Sequence, residues 1–100
     1  MDILAIQNAI REDNVFFTEH AVQQMAKRGI DDDEVLETIL SGEIIEEYPA
    51  DKYGPSCLIY GQTDGGRHLH VVSSLPPRVR IITVYEPDSD EWLNNRRRKK

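Results

Sequence analysis

Cysteine is almost absent from this chain: Cys57 is the only one in 100 residues. A lone thiol closes no internal disulfide and anchors no cysteine-based zinc site. Long hydrophobic runs are also missing, and no apolar stretch approaches the ~20 residues that cross a bilayer. The chain opens with Asp2 and has no basic start followed by an apolar run, so no signal peptide is expected. These absences point to a soluble cytoplasmic protein with no membrane association. Net positive charge is lacking too: the formal charge is −6, which counts against a nucleic-acid binder. The distribution is uneven. Residues 1–50 hold twelve acids and three bases, and residues 51–100 hold six acids and nine bases. Such a chain can bind phosphate with one face and offer an acidic face elsewhere, or its two halves can neutralise each other.

What is present is enough for one folded domain over residues 1–100, with a basic tail from about residue 96. Hydrophobic content is 39% and charged content 30%, the balance of a globular chain with a modest core. Ile3, Ile6 and Ile10 recur at helical spacing between Asp2 and Glu12, and Asp13-Asn14 breaks that helix. Thr18 caps a second helix, with Phe17 expected to staple onto Val22 and Gly29 ending it. Ala21, Val22, Met25 and Ala26 form its apolar stripe. Asp31 and Glu34 make a capping box for a third helix, stapled by Ile30 and Val35, with Val35, Leu36, Ile39 and Leu40 facing the core. Ser41-Gly42 stops it.

The period then changes. Glu43–Tyr48, Ser56–Gln62, Arg67–Ser73 and Arg78–Tyr85 read as strands, and Thr63-Asp64-Gly65-Gly66 is a hairpin signal. The last of these runs is rich in β-branched residues and is expected at the centre of the sheet. Asp88 and Glu91 predict a short final helix carrying Trp92 and Leu93. The order implies an α+β fold: two or three N-terminal helices on one face of a four-stranded antiparallel sheet, with a short C-terminal helix and the other face open.

Several side chains can carry chemistry. His20, Gln24 and Arg28 form one stripe of the second helix, where a histidine can move a proton and an arginine can bind phosphate. His20 can equally be a backbone-bonded histidine near a helix start. His68 and His70 share one strand face, expected to be the open one. The pair can ligate a metal, with His20 or Cys57 as a third ligand, or supply an acid or base. Arg78 and Arg80 alternate with apolar residues and can grip phosphate with forked donors, or bridge to acids. Tyr85 can stack on a base or cover the core edge. Lys52 and the tail from Arg96 are candidate phosphate contacts. Trp92 reads as packing.

Taken together, His20, Arg28-Gly29-Ile30, Glu46-Glu47-Tyr48-Pro49, Pro55-Ser56-Cys57-Leu58, Leu69-His70-Val71-Val72, Ile82-Thr83-Val84-Tyr85-Glu86-Pro87 and Glu91-Trp92 resemble a family of small bacterial proteins. That family is related to the RelE/BrnT-like ribonuclease toxins. The resemblance runs from about Phe17 to Arg98. It implies the toxin of a toxin–antitoxin module that cuts messenger RNA, often on the ribosome, without a metal or cofactor. Its partner would be a cognate antitoxin of DNA-binding or zinc-finger type. The motif positions that carry over as catalytic are His20, Arg28, His70 and Tyr85. Gln24 stands where many relatives have an arginine.

RNA cleavage of this kind needs a base to take the ribose 2′-hydroxyl proton, cations at the crowded phosphorane and an acid for the leaving oxygen. His70 or His20 is expected as acid or base, Arg28 and Arg80 as phosphate stabilisers and Tyr85 as an orienting group. Lys52, Arg80 and Arg96 are expected to hold RNA. Two other classes remain: a non-catalytic module that binds a protein through the open sheet face, and a metal-binding protein built on His68, His70 and Cys57.

Overall fold

The structure is a computed structural model and describes residues 1–99. Three helices lead the chain: α1 (Ile3–Arg11), α2 (Glu19–Arg28) and α3 (Asp32–Ser41), with β1 (Val15–Phe17) between the first two. Four strands follow: β2 (Glu43–Tyr48), β3 (Ser56–Gln62), β4 (His68–Ser74) and β5 (Val79–Tyr85). The chain then makes β6 (Trp92–Leu93) and β7 (Arg97–Arg98). The fold is α+β. Among the described residues no helix is long and apolar enough to cross a membrane.

The helix boundaries follow local chemistry. The Thr18 hydroxyl accepts the Ala21 N–H at 3.1 Å, and Gly29 closes α2 in the left-handed region at φ 63°, as an N-cap and a C′ glycine should. At α3, Asp31 accepts the Glu34 N–H at 2.8 Å while Glu34 accepts the Asp31 N–H at 3.1 Å. This is the expected capping box. Ile30 and Val35 enter the core beside it. Val22 does not join the α2 stripe. It is 51% exposed, and Leu40 is also exposed.

The helices cover one sheet face. Ile6, Ala21, Met25, Val35 and Ile39 meet Ile59, Leu69, Val71, Ile81 and Val84 in a continuous apolar core. Burial of this kind contributes roughly 25 cal/mol per Å² of apolar surface. Gln7 ties α1 to α3 by donating to the Ile39 carbonyl at 3.0 Å. Gly61 lets α3 sit directly on β3, because a Cβ there would strike the Thr38 carbonyl oxygen.

Three expectations of the sheet are corrected. It has five strands and is mixed, in the order β1-β5-β4-β3-β2, with β1 parallel to β5. Three residues are too short to show a period, and only the non-local partner Val79–Ile81 makes β1 a strand. The central strand is therefore β4, not β5. Among the described residues there is no C-terminal helix. Asn94 and Asn95 both adopt positive φ (53° and 63°) and turn the chain into a β6–β7 hairpin. Paired left-handed residues suit tight hairpins, and asparagine tolerates them.

That hairpin also changes the second sheet face, which is not open throughout. Two cross-strand rows on this face matter here. One runs Glu43–Tyr60–His70–Tyr85 and lies under the hairpin. The other runs Ser56–Ser74–Arg80–Phe16 and ends at two exposed residues, Arg80 and Phe16.

Candidate functional site

His70, expected on an open face, is fully buried at 0% exposure. The Trp92 ring meets it edge-on, and its Nε2 lies 2.6 Å from the Asn95 carbonyl oxygen. A carbonyl only accepts, so Nε2 carries the proton, and Nδ1 accepts from the Tyr85 hydroxyl at 3.3 Å. Burial pushes the His70 imidazole below its ordinary value and the Tyr85 phenol above its own. Both keep the neutral form. Two expected catalytic residues, His70 and Tyr85, are thus brought together, but as partners of each other beneath the hairpin.

The basic tail is folded in part. Arg96 pairs with Glu43 at 2.6 Å and lies 4.9 Å from the Tyr60 ring centroid. Arg98 pairs with Glu46 at 2.8 Å and lies 4.6 Å from the Trp92 centroid. Burial alone would raise the Glu46 carboxyl, but hydrogen bonds from Arg98 and Tyr48 carry it below its ordinary value. Burial and the Glu46 hydrogen bond push Tyr48 up to about 12. Arg96 is therefore spoken for by an acid. These pairs join the basic second half of the chain to the acidic first half.

Metal ligation through His68, His70 and Cys57 is excluded by sheet geometry. Cys57 faces the helix-covered core beside Ser73, and the histidines face the other way. His68 Nδ1 is bonded to the Tyr60 hydroxyl at 2.7 Å. Among the described residues no group of three His, Cys, Asp or Glu side chains is placed to hold a metal ion.

Arg28 and His20 occupy opposite ends of α2, separated by eight residues of ~1.5 Å rise each. The Arg28 guanidinium bonds the Gln24 side chain. The carbonyls of Arg28 and Gly29 accept from Arg67 at 2.7 and 2.8 Å, and Arg67 also reaches Glu86 and Glu34. Arg67 is thus a helix-end clamp that sequence reasoning passed over.

His20 and Arg80 do converge. They line a cleft of about 290 Å³ between the first turn of α2, residues of β4 and β5, and the β2–β3 loop. Thr18 fixes the α2 side, donating its hydroxyl to the Ile81 carbonyl at 2.8 Å. Ser74 accepts the Arg80 N–H at 2.8 Å and so holds that strand pair. Asp51, Tyr53 and Gly54 form the third wall. Asp51 accepts from the Ser56 hydroxyl at 2.7 Å, which anchors the loop. Arg80 donates to the Tyr53 carbonyl at 3.4 Å, one of a guanidinium's five donors. Lys52 lies in the same loop, its Nζ 5.4 Å from the Tyr53 ring centroid.

The cleft therefore combines an imidazole, a guanidinium and the positive end of a helix dipole, a combination suited to an anion. Of the expected phosphate contacts, Arg80 lines the cleft, Lys52 sits beside it in the β2–β3 loop, and Arg96 is elsewhere. Asp51, Tyr53 and Ser74 were not anticipated. Only Lys52, next to Asp51 and Tyr53 in the chain, pointed to this loop.

The sequence pattern of a family described as a domain of unknown function (DUF4258) matches residues 17–86. No curated protein and no solved structure matches the chain. The matched stretch begins at β1 and ends just past β5, so it takes in α2, the β2–β3 loop and every wall of the His20–Arg80 cleft. This chain belongs to the DUF4258 family.

Proposed function

We propose that this protein is an RNA-binding endoribonuclease, the toxin of a toxin–antitoxin module akin to the RelE/BrnT-like toxins, and that it works at the His20–Arg80 cleft. The observation that carries this reading is the convergence of a solvent-reachable imidazole and an arginine in one cleft. Arg80 holds the phosphate and stabilises the phosphorane. His20 takes the 2′-hydroxyl proton. The 2′-oxygen bonds to phosphorus, the bond to the 5′-oxygen breaks, and that oxygen takes a proton from water. The products are a 2′,3′-cyclic phosphate and a free 5′-hydroxyl. A cognate antitoxin would silence the protein by occupying the same cleft.

The test is cleavage of a single-stranded RNA, with end-group mapping, alongside growth after induced expression. The wild type should arrest growth and leave cyclic phosphate ends. His20→Ala should slow cleavage by about 10²–10⁴-fold and relieve the arrest. Intact RNA, or a fully active His20→Ala protein, would overturn the proposal.

A second reading, a non-catalytic module that binds a partner protein, is favoured by the burial of His70 and its bonds to Tyr85 and Asn95. It leaves one histidine in the cleft. Normal growth with soluble wild-type protein would select this reading.

A further inference from the structure

We infer that this face takes single-stranded RNA by stacking bases on Tyr53 at the cleft and on Phe16 beside it, on either side of a phosphate held by Arg80. This rests on the RNA reading above and extends it to the class of RNA. Phe16 is 47% exposed and Tyr53 is 75% exposed. Large aromatic rings usually bury most of their surface. Phe16 is the register partner of Arg80, so its ring stands on the same sheet face as that guanidinium. Tyr53 lies on the other side and binds Arg80 through its carbonyl.

Each ring carries a cation. Arg78 is 5.6 Å from the Phe16 centroid, and Lys52 is 5.4 Å from the Tyr53 centroid. A second groove of about 370 Å³ passes from Tyr53 along Arg80 to Arg78, so it continues the His20 cleft. Asp51 is the one acid lining the two spaces. In a chain of net charge −6, this is a local basic surface with aromatic rings set between the bases. Rings alternating with cations are how proteins hold an unpaired strand, because each base offers a π-face and each phosphate a charge. A duplex keeps its base faces stacked inside and cannot use the rings.

The test is fluorescence anisotropy with the full chain and a fluorescein-labelled, 2′-O-methyl single-stranded RNA, which binds but cannot be cut. The same strand annealed to its complement is the competitor. The single strand should bind about tenfold or more tightly than the duplex. Tyr53→Ala and Phe16→Ala should each weaken binding by about 5- to 100-fold. Tyr53→Phe should bind like wild type and Tyr53→Leu should behave like Tyr53→Ala, which separates stacking from bulk. Because Tyr53 lies in an exposed loop, its variants decide the matter if Phe16→Ala fails to fold. Equal affinity for duplex and single strand, or full affinity in Tyr53→Leu, would overturn the stacking while leaving a phosphate site. No RNA binding at all would remove the RNA reading and this inference with it. Binding of this strand with no cleavage of the unmodified RNA would overturn only the nuclease step.

Discussion

The His70 imidazole meets the Trp92 indole edge-to-face, with centroids 4.5 Å apart and planes at 85°. A strand residue that looks available for catalysis is thereby turned into the anchor of a hairpin 22 positions downstream. Its Nε2–H bond to Asn95 closes the same contact. The arrangement separates two roles: His70 holds structure, and His20 remains at a cleft.

His70→Ala should therefore lose stability rather than only activity. It opens a cavity and orphans the Asn95 carbonyl, a cost of about 2–4 kcal/mol. Chemical denaturation followed by Trp92 fluorescence checks this. An unchanged midpoint would contradict the anchoring role.

Stability should also depend on pH in two separate windows. Burial holds the His70 imidazole below its ordinary 6.5. Just below that pH the unfolded chain binds the extra proton and the folded chain does not, so stability falls as pH drops through 6.5 toward the folded value. Glu46 is held below its ordinary 4.5. Its contribution is present above that value and is lost on further acidification. His70→Gln should flatten the upper window, while the lower, carried chiefly by the Arg98 and Tyr48 hydrogen bonds to Glu46, should persist. Denaturation midpoints across pH give the answer.

Arg98→Ala removes the Glu46 pair and the cation over Trp92. Arg98 is largely exposed, so the cost should be about 0.5–1.5 kcal/mol, with the ion-pair share shrinking in salt. A denaturation series at low and high ionic strength checks it.

Gly61→Ala drives a methyl group into the Thr38 carbonyl oxygen. The strain of parting α3 from β3 should cost about 1–3 kcal/mol. Thermal unfolding measures this, and a neutral result would mean that α3 and β3 part at no cost.

Arg80 and Arg28 should separate cleanly in RNA binding. Arg80→Ala removes a phosphate contact, so the slope of log affinity against log salt should fall by about 0.7. Arg28→Ala, at the far end of α2, should weaken binding less than Arg80→Ala. The reverse ranking would move the phosphate site toward the C-terminus of that helix.

Much of this architecture was legible locally. Thr18, Gly29, Asp31 and Glu34 each act through neighbours a few residues away, so the helix ends could be read directly. The alternation of Leu69, His70 and Val71 correctly put His68 and His70 on one face opposite the core. The Asn94-Asn95 pair was a readable turn signal that the Asp88–Glu91 capping pattern obscured. Asp88 does accept the Asp90 N–H at 2.8 Å, but the turn it starts does not propagate.

The candidate site was legible only as parts. His20, Lys52 and Arg80 were recognisable as chemistry, yet bringing His20 and Arg80 to one cleft depends on contacts between residues 63 and 27 positions apart, Thr18 to Ile81 and Arg80 to Tyr53. By itself the sequence determined the helix caps, the strand alternation and the inventory of cations and imidazoles, because those follow from short-range hydrogen bonding and side-chain period. Only the tertiary structure decided which histidine is buried and which arginine meets an acid. Those outcomes turn on where the β6–β7 hairpin and the β2–β3 loop come to rest, which is set by packing between residues far apart in the chain.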